Sequence, residues 1–163
     1  MASPASAQEA GDVGVTVSAP SAIGVIWHVT PRLAIRPDLA FSFSGSDGEG
    51  GSPDVSSHTF SLGGSVLFYT GRWDNFQTYV TPRLSYSWSG SNDSGGFDVS
   101  QNGWGLSGAF GGQYTLGTRF AVFAEAGLSF SSQTTEVDSS LSGIDRTTWT
   151  FGTRTAIGGT LYF

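Results

Sequence analysis

The chain has 163 residues, of which 24 are glycine, 38% are hydrophobic and only 12% are charged, about half the charged share of an ordinary soluble domain. All seven basic residues are Arg, and thirteen acids leave a net charge of −6 without any basic run, which excludes a mixed-charge, water-facing surface and a nucleic-acid footprint. The absence of Cys excludes a disulfide framework, a thiolate metal site and a cysteine nucleophile, and no apolar stretch approaches the ~18 to 20 residues of a membrane-spanning helix.

Residues 1–10 are expected to form an N-terminal tail. Ala5-Ser6-Ala7 has the small-x-small form of a signal-peptidase site with no apolar region before it, so the tail is expected to be the remnant of an export signal behind a start Met. From residue 11 to 163 helical periodicity is absent and period-two alternation is nearly continuous. Gly11 to Ser18 sets Val13, Val15 and Val17 on one face, and Ala22 to Val29 follows it. Arg32 to Ser44 alternates most clearly, with Leu33, Ile35, Pro37, Leu39, Phe41 and Phe43 opposite Arg32, Ala34, Arg36, Asp38, Ala40, Ser42 and Ser44. His58 to Thr70 places Phe60, Leu62, Val66 and Phe68 on its greasy face. Phe76 to Ser89 places Phe76, Val80, Pro82, Leu84, Tyr86 and Trp88 opposite Gln77, Tyr79, Thr81, Arg83, Ser85 and Ser87. Trp104 to Tyr114, Arg119 to Ser131 and Thr148 to Phe163 repeat the pattern through Leu106 and Phe110, through Phe120, Val122 and Leu128, and through Trp149, Phe151, Ile157 and Leu161.

Ile35 to Ser46 (IRPDLAFSFSGS) aligns without a gap on Val80 to Ser91 (VTPRLSYSWSGS), and Val122 to Ser132 follows more faintly. The repeat of about 42 to 45 residues is a hairpin, too short to be a folded domain. Short turns are expected at Val29 to Pro31, Gly71 to Asn75 and Thr115 to Thr118, and long Ser/Gly/Asp-rich loops at Gly45 to Ser56, Gly90 to Gly96 and Gln133 to Ile144. Short turns on one side and long loops on the other are a signature of an outer-membrane barrel. The chain ends at Phe163 on the short-turn side, so parity requires the strand at Gly11 to Ser18 and brings the count to eight. The predicted fold is all-β: a closed, antiparallel, eight-stranded, transmembrane up-and-down barrel over residues 11–163. Pro37 and Pro82 interrupt strands where no free edge exists, and local bulges are expected there.

Volume decides which face looks outward. A greasy lumen would have to hold two dozen large side chains, whereas Gly14, Gly24, Gly63, Ser65, Gly105, Ser107, Ala109, Gly111 and Gly158 suit a narrow bore. Aromatic residues then cluster in two belts of membrane-interface type. Phe43, Trp88, Trp104 and Trp149 lie toward the long loops, and Trp27 and Trp73 lie with Phe68, Phe76, Tyr114 and Phe120 toward the short turns.

The alternating strands, the two classes of connection and the terminal Thr160-Leu161-Tyr162-Phe163 resemble the small outer-membrane β-barrel family of OmpA and OmpX type, over essentially the whole chain after residue 10. The resemblance implies that Phe163, Leu161 and Ile157 form the signal read by the barrel-assembly machinery, with Gly159 departing from the pattern. A lipid A deacylase of that family uses a His-x-Ser arrangement, which His28-Val29-Thr30 and His58-Thr59-Phe60 do not match.

Inside the bore the alternation brings Asp12, Arg36, Asp38, Arg83, Glu125 and Arg154 into an expected charge network, with Asp38, Arg83 and Glu125 at equivalent positions of the hairpin repeat. Unpaired ions there cost several kcal/mol, so pairing is nearly forced. Paired carboxylates invite a catalytic reading, but an equal number of arginines makes charge compensation the simpler one. No catalytic residue, cofactor or metal ligand is assigned. His28 and His58 fall at opposite ends of the barrel, each as a lone interfacial His, and Asp47, Glu49, Asp54, Asp93, Asp98, Glu136, Asp138 and Asp145 form an acidic rim with Arg146. That rim is expected to be solvated, with weak Ca²⁺ or Mg²⁺ bridging to lipopolysaccharide as the alternative. The expected role is that of a monomeric, non-enzymatic outer-membrane protein with a plugged polar core, whose partners are outer-membrane lipid, lipopolysaccharide and the assembly machinery, and not nucleic acid. A small gated pore, an outer-membrane lipid-modifying enzyme and a soluble lipocalin-like carrier are the alternatives.

Overall fold

The computed structural model describes residues 9–20, 22–46, 55–93, 98–138 and 144–163. Eight antiparallel strands close into one ring in chain order: β1 (Val13–Ala19), β2 (Ala22–Thr30), β3 (Leu33–Ser46), β4 (Val55–Trp73), β5 (Phe76–Asp93), β6 (Asp98–Leu116), β7 (Phe120–Asp138) and β8 (Ile144–Tyr162). The ring closes where β1 pairs with β8, from Gly14 opposite Tyr162 to Ala19 opposite Ile157. Large apolar side chains on alternate positions, such as Val15, Val25, Leu39, Leu62, Leu84, Phe110 and Leu128, are exposed on the outer face. Gly14, Thr16, Ser65, Ala109 and Glu125 point into the bore and are buried.

At the short-turn mouth the connections are tight. Asp74 and Asn75 link β4 to β5, with Asp74 in the left-handed region at φ 38°, and Gly117 takes φ 77° between β6 and β7. Both conformations match the positive φ that tight hairpins demand. Arg119 sits in that last turn and not on the strand that alternation gave it.

The far mouth departs from expectation. Within the stretches predicted as long loops every described residue is strand (45–46, 55–56, 90–93, 133–138 and 144), β6 starts at Asp98 and not Trp104, and β7 runs on to Asp138. The strands β4 and β6 to β8 have 19 residues each, about twice the 9 to 11 that cross a hydrocarbon core. By contrast β1 and β2 have 7 and 9 residues and are joined through Pro20. The wall is therefore low at the β1–β2 hairpin and tall from β4 round to β8. Beyond Ile157, β8 continues to Ile144 without β1 beside it.

No bulge forms at either proline. Across β2 and β3 the register is the same at Gly24–Asp38 and at Trp27–Ile35, and across β4 and β5 it is the same at Ser65–Arg83 and at Phe68–Val80. The rungs between those pairs are missing on one side only, while Pro37 still lies opposite Gly64 and Pro82 opposite Gly108 on the other side. A proline removes one donor, and a ladder held on its other edge absorbs that loss without inserting a residue. The register shifts occur instead at His28/Thr30 and Tyr69/Gly71, beside the short turns.

Candidate functional site

The core of the molecule is its bore, which has two layers. In the middle layer Glu125 of β7, with a side chain sealed from solvent, accepts from Arg36 Nη2 at 2.6 Å and from Arg154 Nη1 at 2.9 Å. Tyr79 of β5 also donates its hydroxyl to Glu125 at 3.1 Å. Beside this triad Arg83 grips Asp38 with two nitrogens, Nε to Oδ2 at 3.3 Å and Nη2 to Oδ1. The fork of Arg matches a carboxylate in this bidentate way. Gly63 on the intervening β4 makes room, since a Cβ there would collide with the Arg83 guanidinium and come within 2.7 Å of the Asp38 carboxylate. Arg36 also lies over the Phe123 ring, 5.1 Å from its centroid, a cation–π contact. Thus five of the six charges expected in the bore meet there as two adjoining groups. Asp12 lies nearer the short-turn mouth, where its carboxylate accepts from the Glu9 backbone N–H at 2.7 Å and its carbonyl from that of His28 at 2.9 Å. Asp12 stands just before β1, which begins at Val13, so the strand alternation that placed the other five charges does not extend to it.

The lower layer is not the purely polar plug that composition suggested. Ile26, Leu67, Tyr79, Phe123 and Tyr162 are buried inside the bore. His28 is buried there too, against expectation, with ring centroids 5.5 Å from Tyr69 and 5.7 Å from Tyr162. Its Nε2 lies 3.4 Å from the Tyr162 hydroxyl, which also accepts from Gln113 Nε2 at 3.0 Å. Large inward side chains fit because glycines face them. A Cβ on Gly111 would stand 2.5 Å from the Tyr79 ring, and one on Gly158 would stand 2.6 Å from the Phe123 ring. Gly111→Val is accordingly expected to overpack the plug and cost about 1 to 3 kcal/mol. Urea unfolding monitored by tryptophan fluorescence measures this, and an unchanged midpoint would mean that the plug yields freely.

The closing seam carries the chain terminus. Phe163 donates its backbone N–H to the Val13 carbonyl at 3.1 Å, and Ile157, Leu161 and Phe163 point outward on alternate positions. Gly159 breaks that row, and the Phe120 ring of β7 covers the place, 3.1 Å from where a Cβ would stand.

No family model and no curated protein sequence matches the chain. Among solved structures it is similar to a major outer membrane protein from Thermus thermophilus, at 15% identity and a TM-score of 0.61, over 93% of this chain and 98% of that one. CarO and CarO2 of Acinetobacter baumannii superpose at 11% and 9% identity with TM-scores of 0.47 and 0.45, over 93% of this chain and 97% of each of theirs. The Thermus likeness is one of fold, from end to end of both chains.

On the outer face of that barrel, all six of the expected belt residues Trp27, Phe43, Trp73, Trp88, Trp104 and Trp149 are exposed. Of these, Trp88 packs against Phe60 at 5.8 Å and Tyr86 at 4.4 Å and Trp104 against Phe130 at 5.6 Å toward the tall mouth, and Trp73 against Phe76 at 6.2 Å toward the short turns. His58 is exposed near the tall mouth, opposite Phe43. Of the expected acidic rim, Asp47, Glu49 and Asp54 lie outside the described residues, Asp93, Asp98, Asp138 and Asp145 fall at strand ends, and Glu136 is exposed on β7.

Proposed function

We propose that the chain is an integral protein of a bacterial outer membrane, a small monomeric barrel of the OmpA and OmpX kind, with a structural or surface-interaction role and no catalysis. The carrying observation is the inversion of polarity around a closed ring: Leu84, Phe110, Leu128 and Phe151 face out while the arginines and carboxylates face in. Through its closed part, where β1 pairs with β8 from Gly14–Tyr162 to Ala19–Ile157, the ring satisfies its backbone internally, which is the condition for strands to cross a bilayer. The fold-level likeness to the Thermus outer membrane protein supports the same location.

This inversion weighs against a soluble carrier, which needs a greasy lumen. The filled bore weighs against an open pore, because ion pairs and the plug beneath them span it. Bilayer lipid and lipopolysaccharide are the partners of such an exterior, and the assembly machinery is the expected reader of Phe163, Leu161 and Ile157. After refolding into detergent, the unheated protein is expected to migrate faster on a gel than the boiled one, and in cells it should fractionate with the outer membrane. Loss of both behaviours, or solubility without detergent, would overturn the proposal, and steady conductance in planar bilayers would replace it with the pore.

A further inference from the structure

The charges in the middle of the bore do not balance. Among the described residues there, three guanidinium groups, Arg36, Arg83 and Arg154, meet two carboxylates, Asp38 and Glu125. A surplus cation in an enclosed site is costly unless an anion joins it. The surplus also has a place to act. A cavity of about 110 Å³, large enough for a small ion with water, lies against the inner side of the low β1–β2 hairpin. All three arginines line it, together with Asp38, whose carboxylate is held by Arg83, and with Thr16, Ser18, Phe123 and Pro20 of the turn. Glu125 has its two oxygens taken up by Arg36, Tyr79 and Arg154, and Arg83 uses two of its five N–H donors on Asp38. The side chains of Arg83 and Arg154 keep 16% and 19% exposure, while that of Glu125 keeps none. Among the described residues, Arg83 and Arg154 thus keep N–H donors beyond those engaged with Asp38 and Glu125, on side chains that retain exposure.

We propose that this cavity binds a phosphate group, held by Arg83 and Arg154 with the Ser18 and Thr16 hydroxyls beside them. Several guanidinium forks around one space suit a tetrahedral oxyanion, whose oxygens accept from more than one direction. The group comes either as a free ion or as a lipid headgroup reaching in at the low hairpin, where the neighbouring strands stand taller than β1 and β2.

The test uses the full chain refolded in neutral detergent, with the heat-modifiable gel shift confirming the barrel first, so that failure of the fold and failure of the site are told apart. Unfolding temperature is measured against inorganic phosphate at constant ionic strength, and separately against dodecyl phosphate added to the micelles. A saturable rise of about 5 °C at a hundredfold excess over Kd is expected. A rise with inorganic phosphate assigns a free-ion site, and a rise with dodecyl phosphate alone assigns a headgroup site. Arg154→Gln is expected to weaken the response at least tenfold. Ser18→Asp, which supplies an internal anion, is expected to raise the unfolding temperature in phosphate-free buffer and abolish the response. No saturable shift with either probe overturns the proposal, as does an undiminished response in both variants.

Discussion

Glu125→Gln is expected to lower the unfolding temperature of the refolded barrel by roughly 6 to 20 °C, from a loss of about 3 to 5 kcal/mol when one partner of a buried ion pair is removed. The substitution preserves shape and leaves an acceptor oxygen for Tyr79 or one arginine. It removes the charge that holds Arg36 at 2.6 Å and Arg154 at 2.9 Å. The bore would then hold three arginines against Asp38 alone. The sign of a second substitution separates charge from packing. If the loss comes from stranded cations, adding Arg154→Gln to Glu125→Gln recovers part of the stability, because it removes one of them. A double variant that melts lower than Glu125→Gln by the same amount that Arg154→Gln costs on its own would show additive sites and sink the network account. A melt of Glu125→Gln that matches wild type would do so outright.

How much of this was legible in the sequence follows from where alternation has a physical cause. Period two appears where one face of a strand meets an apolar medium and the other a crowded bore, as from Arg32 to Ser44, and there the inward and outward faces come straight from the residues. Above the upper aromatic belt both faces meet water. Gln133 and Thr134 therefore read as loop, and Gln101, Asn102 and Thr147 fall outside the predicted strands, although the ladder continues through Asn102–Thr134 and Thr134–Thr147. Backbone hydrogen bonding outlasts the pattern that reveals it.

The lumen was half legible for a related reason. Counting small inward residues describes an average bore, and the actual one pairs large with absent side chains: Tyr79 lies opposite Gly111, and Phe123 opposite Gly158. That complementarity is a sequence signal only once the register is known, because it links residues 32 and 35 positions apart. The Arg83–Asp38 contact depends on Gly63 in the same way, since the strand between them must carry no side chain at that point. The hairpin repeat made Asp38 and Arg83 equivalent in position, and closure of the ring made them partners.

Leu84→Arg is expected to destabilise the barrel in a bilayer by about 2 to 4 kcal/mol, although Leu84 is 61% exposed. In a water-soluble protein an exposed Leu→Arg change away from special features stays within roughly 0.5 kcal/mol. The difference rests on what lies against the outer face. On β5, Leu84 falls between Phe76 near the short turn and Trp88 of the upper belt, so its side chain is placed near the middle of the apolar band. Phe43, 79% exposed in the upper belt, supplies the control, because an arginine near the interface reaches the headgroups and costs about 0 to 1 kcal/mol. Reversible urea unfolding in lipid vesicles measures both variants against wild type. A large loss for Leu84→Arg with a small one for Phe43→Arg follows from a lipid-facing band of limited height. Equal and negligible losses would mean that water covers this face, and the outer-membrane proposal would fall with them.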